Sequence, residues 1–166
     1  MCIRDSYRDR PREEWPREGD EIAMATLPLD LESLLAEPGG GADAPAMPEG
    51  TVLGHVHLQV SDLDAASAFW VGALGLDVMA SLYPGALFVS AGGYHHHVGL
   101  NTWAGVGAPR PPAGARGLDR FELVLPDAVS ETAARDRLAA VGEVRGEDGG
   151  ALVEDPSGNA VLVRSS

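Results

Sequence analysis

Five histidines stand in two short stretches: His55 and His57 lie two residues apart, and His95, His96 and His97 are side by side. Neutral imidazole binds divalent first-row metals and titrates near neutral pH, so such a set points to metal binding, proton transfer or both. The first pair lies in Val52-Leu53-Gly54-His55-Val56-His57-Leu58-Gln59-Val60, where Val56, Leu58 and Val60 alternate with His55, His57 and Gln59. That alternation predicts a strand with both histidines on its polar face. The other three open the run Gly92-Gly93-Tyr94-His95-His96-His97-Val98-Gly99-Leu100-Asn101-Thr102-Trp103. If this run is extended, His95 and His97 share one face and His96 takes the other. Two such strands can hold one divalent ion, and a carboxylate would complete a two-histidine site suited to iron(II), leaving positions for substrate and dioxygen.

Plainer readings stand beside these. A histidine on a half-buried strand is often an ordinary polar residue, and a triple run can be a packed edge or a tag-like cluster. His96 is also suited to taking a proton from, or giving one to, a phenol-like substrate. Tyr94, Asn101 and Trp103 can line a pocket, although aromatic and amide side chains at strand ends also serve as core or turn residues.

The surrounding chain supplies the elements that must position these groups. Residues 1–26 are polar and charged and lack periodicity, which reads as a linker or a severed tail. Leu31, Leu34 and Leu35 after Asp30 predict a short capped amphipathic helix, stopped by Pro38-Gly39-Gly40-Gly41. After the His55 strand, Asp62 can cap a helix carrying Leu63, Ala66, Phe69, Trp70 and Leu74, ended by Gly75. Strands follow over 76–82 and 86–91, separated by Pro84-Gly85, and then comes the histidine run. A Gly- and Pro-rich loop, 104–117, leads to a second copy of the pattern about 65 residues on. Its strand is 121–125, its helix starts at Pro126-Asp127, and Val129, Ala133, Leu138 and Val141 form the expected apolar stripe. Short strands at Val144, 151–153 and 160–163 complete it, with Asp155-Pro156-Ser157-Gly158-Asn159 as the last hairpin turn.

Taken together, the His55-Val-His-Leu-Gln-Val-Ser-Asp-Leu segment, Phe69-Trp70, Leu74-Gly75-Leu76, the Tyr94–Trp103 run and the Asp155–Asn159 turn resemble the vicinal oxygen chelate superfamily. More closely, the chain is similar to two-half proteins of the catechol-2,3-dioxygenase type. The resemblance implies an α+β fold: two consecutive βαβββ modules, about 52–103 and 118–166, curling around one cleft, with residues 1–50 as tail, short helix and linker. It implies iron(II), or another divalent metal, acting on a small catechol-like aromatic with dioxygen. His55 then matches the first-strand metal ligand, and His96 the neighbouring histidine credited with acid/base work. Tyr94, His97 and Trp103 become pocket candidates. Where such enzymes place a second histidine and a glutamate, this chain has Arg120 and Leu162, and neither can ligate. The start of the chain suggests a reason. Tyr7-Arg-Asp-Arg-Pro-Arg-Glu-Glu-Trp15 resembles the tail that follows the first half of these proteins, so the expectation is a fragment whose remaining ligands lie upstream. A metal-free small-molecule-binding module and a glyoxalase-type lyase are the alternatives on the same fold.

Composition narrows the remaining classes. A net charge of -13 in 166 residues disfavours nucleic acid and anionic membrane surfaces as partners. One cysteine, Cys2, excludes an internal disulfide or a cysteine-based zinc cluster, and no apolar run reaches membrane-spanning length. There is no phosphate-binding glycine loop and no Gly-x-Ser-x-Gly nucleophile. A cytoplasmic protein is expected, with self-association into a homo-oligomer left open.

Overall fold

A computed structural model describes residues 11–25, 28, 30–36, 53–112 and 114–166. In chain order, a 3-10 turn (Arg12–Glu14) precedes β1 (Arg17–Glu18), β2 (Glu21–Ile22) and α1 (Leu31–Leu35). The first module is β3 (Val56–Gln59), α2 (Leu63–Ser67) running into a π-helical stretch (Ala68–Ala73), β4 (Asp77–Ala80), β5 (Ala86–Ser90) and β6 (Val98–Asn101). The second is β7 (Phe121–Leu125), α3 (Ala128–Ala139), β8 (Arg145–Glu147), β9 (Gly150–Glu154) and β10 (Ala160–Ser165).

Both modules have the same topology. The sheets run β3-β6-β5-β4 and β7-β10-β9-β8. In each, the first and last strands are parallel, with Val56 opposite Val98 and Phe121 opposite Val161, and the other pairs are antiparallel. Each helix starts at the expected aspartate: Asp62 accepts from the Ala65 amide at 2.7 Å, and Asp127 from that of Ser130 at 2.7 Å. These caps satisfy donors that a helix N-terminus leaves open. The α+β fold of two βαβββ modules expected from the sequence is therefore present.

One apolar core joins the modules. Leu58, Val60, Val98 and Leu100 of the first sheet pack with Phe69, Trp70 and Leu74 of the helix, and with Ala134, Leu138, Val153, Val161 and Val163 of the second module. Trp70 is fully buried and stacks on Phe121, with centroids 6.1 Å apart, while its indole N–H donates to Asp155 at 3.3 Å. From α3, Arg137 donates to the carbonyls of Ala73 and Leu74 at 2.8 and 3.0 Å. These bonds satisfy carbonyls at the helix C-terminus, where a cation is favoured.

Three expectations change. The buried stripe of α3 is Ala134 and Leu138, whereas Val129, Ala133 and Val141 are exposed. Ala134 and Leu138 are four residues apart and so lie on one face of the helix, the face that meets the core. The histidine run is not itself a strand: Gly92 and Gly93 both take positive φ, 62° and 67°, residues 94–97 are irregular, and β6 begins at Val98. Within the segment read as linker, residues 12–24 carry structure. Ile22 is buried, Met24 packs on Ala80, Ala86 and Phe88, and Glu21 accepts from the Ser81 amide and hydroxyl at 2.6 and 2.7 Å. The short helix α1 forms as expected, with Asp30 accepting from the Ser33 amide at 3.0 Å. The expected stop at Pro38-Gly39-Gly40-Gly41 lies outside the described residues.

Candidate metal centre

Strand alternation in β3 sends Val56 and Leu58 into the shared core and His57 to the other face. On the parallel neighbour β6, Gly99 is the partner of His57, and on β5 the partner of Gly99 is Phe88. The imidazole of His57 lies directly on Gly99: a Cβ there would come within 3.0 Å of ring atoms Cε1 and Nδ1. Phe88 flanks the same ring at 6.0 Å between centroids. From this seat His57 Nε2 reaches His96 Nε2 at 3.1 Å.

Around that pair the other histidines close in. The ring of His55 lies 4.4 Å from that of His96 and 5.8 Å from that of His95. One ligand nitrogen from each of His55, His95 and His96 lies within 4.8 Å of the others. His95 and His96 are buried, and His55 is partly exposed. Burial holds His96 neutral, pushing its pKa down to about 2, with the nearby His55 and His95 charges acting in the same direction. His57 is lowered to about 4, first by burial and then by His55. The donor set suits a divalent first-row ion, which needs neutral imidazoles with free lone pairs. Nδ1 of His96 is buried without a hydrogen-bond partner among the described residues.

The expected division of faces does not hold. His95 and His96 converge on His55, while His97 turns away, its Nδ1 bonded to the Ser90 hydroxyl at 2.9 Å and the Ala91 amide at 3.2 Å. Strict alternation requires an extended backbone, and the bend after Gly92-Gly93 removes it. Tyr94 stays beside the cluster, its ring 4.1 Å from that of His95. Trp103 does not join it. It follows the far end of β6, packs on Tyr83 and donates its indole N–H to the Pro84 carbonyl at 3.2 Å. Arg120 is ion-paired with Glu147 and Asp148, and Leu162 is fully buried, so neither place offers a donor.

Two contributors escaped the sequence reading. Strand alternation groups His95 with His97, and the adjacent Gly92-Gly93 pair is the signal against it. Trp15, from the polar N-terminal segment, sets its ring edge-on to His95 at 5.2 Å and to Tyr94 at 5.8 Å. Arg12 anchors it, donating to the Gly92 carbonyl at 2.9 Å and lying 5.7 Å above the Trp15 ring. The repeated Arg and Glu residues around Trp15 concealed it.

Paired βαβββ modules with a histidine cluster on the face of the first sheet define a protein class. The chain belongs to the glyoxalase/bleomycin resistance protein/dioxygenase superfamily, whose family model matches residues 52–163. It is 41% identical over 162 residues to a catechol-2,3-dioxygenase of Bacillus subtilis (strain 168), which covers 95% of this chain and 56% of that protein. The chain thus spans about half the length of that relative. Among solved structures, it superimposes on a lactoylglutathione lyase of Agrobacterium tumefaciens with a TM-score of 0.53 at 24% identity, covering 72% of this chain and 96% of the other. The trypanothione-dependent glyoxalase I of Leishmania major gives a TM-score of 0.51 at 19% identity, over 68% and 85% of the two chains. These two likenesses concern the fold. Among the described residues, no helix is long and apolar enough to cross a membrane.

Proposed function

We propose that this chain carries the metal and proton-handling residues of an extradiol-type dioxygenase, cleaving the ring of a catechol-like aromatic with dioxygen and iron(II) in the cytoplasm. The observation that supports this most is the convergence of His55, His95 and His96 within 4.8 Å, in a chain 41% identical to a catechol dioxygenase. In this reading His55 and His95 hold the ion. When bound, the ion supplies Lewis acidity and a place where both vicinal oxygens and dioxygen are held in reacting geometry. His96, beside these ligands, accepts a substrate proton at Nδ1, an atom with no hydrogen-bond partner among the described residues. Tyr94 and Trp15 flank His95 on one side of the site.

Anaerobic titration with iron(II) or cobalt(II) tests the ligands, and the yellow ring-opened product of catechol tests the reaction. His55→Ala should abolish metal uptake and product together. His96→Gln should still take up the ion but form no product. Metal uptake that survives His55→Ala would overturn the ligand assignment, and uptake lost in His96→Gln would make His96 a ligand instead. A second reading draws on Arg120 and Leu162, which leave those two positions of the second module without a ligating atom: a metal-free module that binds small aromatic molecules. Catechol binding unchanged by a chelator, with no product at any metal concentration, would favour it.

A further inference from the structure

We propose that His57 is a positioning residue: it accepts the Nε2–H of His96 and so fixes the tautomer in which the Nδ1 lone pair of His96 is open to the site. This rests on the reading of His96 as the proton-handling group. The two Nε2 atoms are 3.1 Å apart, so one donates and the other accepts. Were His57 the donor, neutral His96 would carry its hydrogen on Nδ1, a buried atom without an acceptor among the described residues. An orphaned buried N–H is rarer in folded proteins than an under-used acceptor. With His96 as donor, the remaining N–H belongs to His57, whose ring is partly exposed and whose nitrogens are not among the buried unpartnered atoms. Water can serve it there.

The seat of His57 is independent evidence for this role. Gly99 lies inside a strand, where glycine weakens the backbone, and its φ is not positive, so its conformation does not call for glycine. What calls for it is space: a Cβ at Gly99 would sit 3.0 to 3.2 Å from three atoms of the His57 ring. Phe88 closes the other side, 6.0 Å from His57 and 5.1 Å from His96. The missing side chain lets the imidazole lie flat on the sheet with Nε2 aimed at His96.

Long-range proton–nitrogen NMR of the metal-free chain at neutral pH reads the tautomer directly, without reference to activity. His96 is expected as a single Nε2–H tautomer. His57→Phe, which keeps the ring and removes the acceptor, should replace it with a mixture. His57→Gln, whose carbonyl can accept, should restore the single form, and Gly99→Ala should shift the population toward that of His57→Phe. An Nδ1–H tautomer in the unaltered chain, or an unchanged tautomer in folded His57→Phe, would overturn the proposal. The measurement on the unaltered chain decides it even if a variant does not fold. Failure of a chain showing the expected tautomer to take up iron(II) or cobalt(II) would remove the metal-centre reading while leaving the role of His57 intact.

Discussion

Asp155 is buried at 1% exposure, and four donors meet its side-chain oxygens. Its Oδ1 accepts from the amides of Ser157 and Asn159 at 2.8 and 2.9 Å, and its Oδ2 from the Asn159 side chain at 2.9 Å and the Trp70 indole at 3.3 Å. Replacing it by alanine strands several buried donors at once. Asp155→Ala should therefore lower the unfolding free energy by about 2–4 kcal/mol, read from urea denaturation. Gly150 presents a different limit, because a Cβ there would meet the Val163 carbonyl oxygen at 2.7 Å, and backbone cannot step aside. Gly150→Ala should cost roughly 1–3 kcal/mol in the same measurement. The sequence showed the Asp155–Asn159 turn, since Asp, Pro, Gly and Asn are turn formers. It did not show that the turn aspartate reaches a tryptophan of the other module, 85 residues away.

At the scale of elements, the N-terminal hairpin of β1 and β2 is held on the first sheet largely through Glu21, whose bonds to the Ser81 amide and hydroxyl pull its carboxyl below the usual range. A lowered folded pKa means that this stabilisation is present above the ordinary carboxylate value and is lost as pH falls through the folded one. Glu21→Gln should loosen the hairpin at neutral pH, seen as faster hydrogen exchange over residues 15–24 with β5 and β6 unchanged. Unaltered exchange there would mean that Ile22 and Met24 suffice to hold it. This docking brings Trp15 to the histidines, and it was not legible in sequence: two-residue strands show no periodicity, and the apolar contacts come from isolated residues. The strands and helices of the two modules, by contrast, could be read from alternation, from the aspartate caps and from the turn glycines. Within α3 the helix was legible and its buried face was not, because Val129 and Val141 are apolar residues left in solvent.

For the whole molecule, the two modules share one core, and Arg137 ties α3 to the end of the first module's helix. Arg137→Ala removes two charge-assisted bonds to helix-terminal carbonyls and should destabilise the chain by about 1–3 kcal/mol, shifting the thermal midpoint without changing the fold. His57 and His96 make the metal-free chain less stable in acid. With folded pKa values of about 4 for His57 and about 2 for His96, against 6.5 when unfolded, the unfolded chain takes up protons that the folded chain does not. Stability falls as pH drops below 6.5, the His57 part levelling off near pH 4 and the His96 part continuing toward pH 2. The metal-free chain should melt at a lower temperature at pH 5 than at pH 7.5. An equal midpoint at both values would show that these imidazoles are already hydrated in the fold.

The sequence by itself determined the two βαβββ modules, their helix caps and the likeness to the superfamily, because these follow from short-range periodicity and local hydrogen bonding. It also singled out His55 and the 95–97 run as candidates and determined that Arg120 and Leu162 cannot ligate, because those are properties of residue type. Which histidines meet was decided only in three dimensions. Two glycines at positive φ turn His95 and His96 toward His55 and His97 away from it, and Gly99 makes room for His57 across a parallel pair. A strand rule that counts every second residue holds only while the backbone stays extended, and at the site it does not.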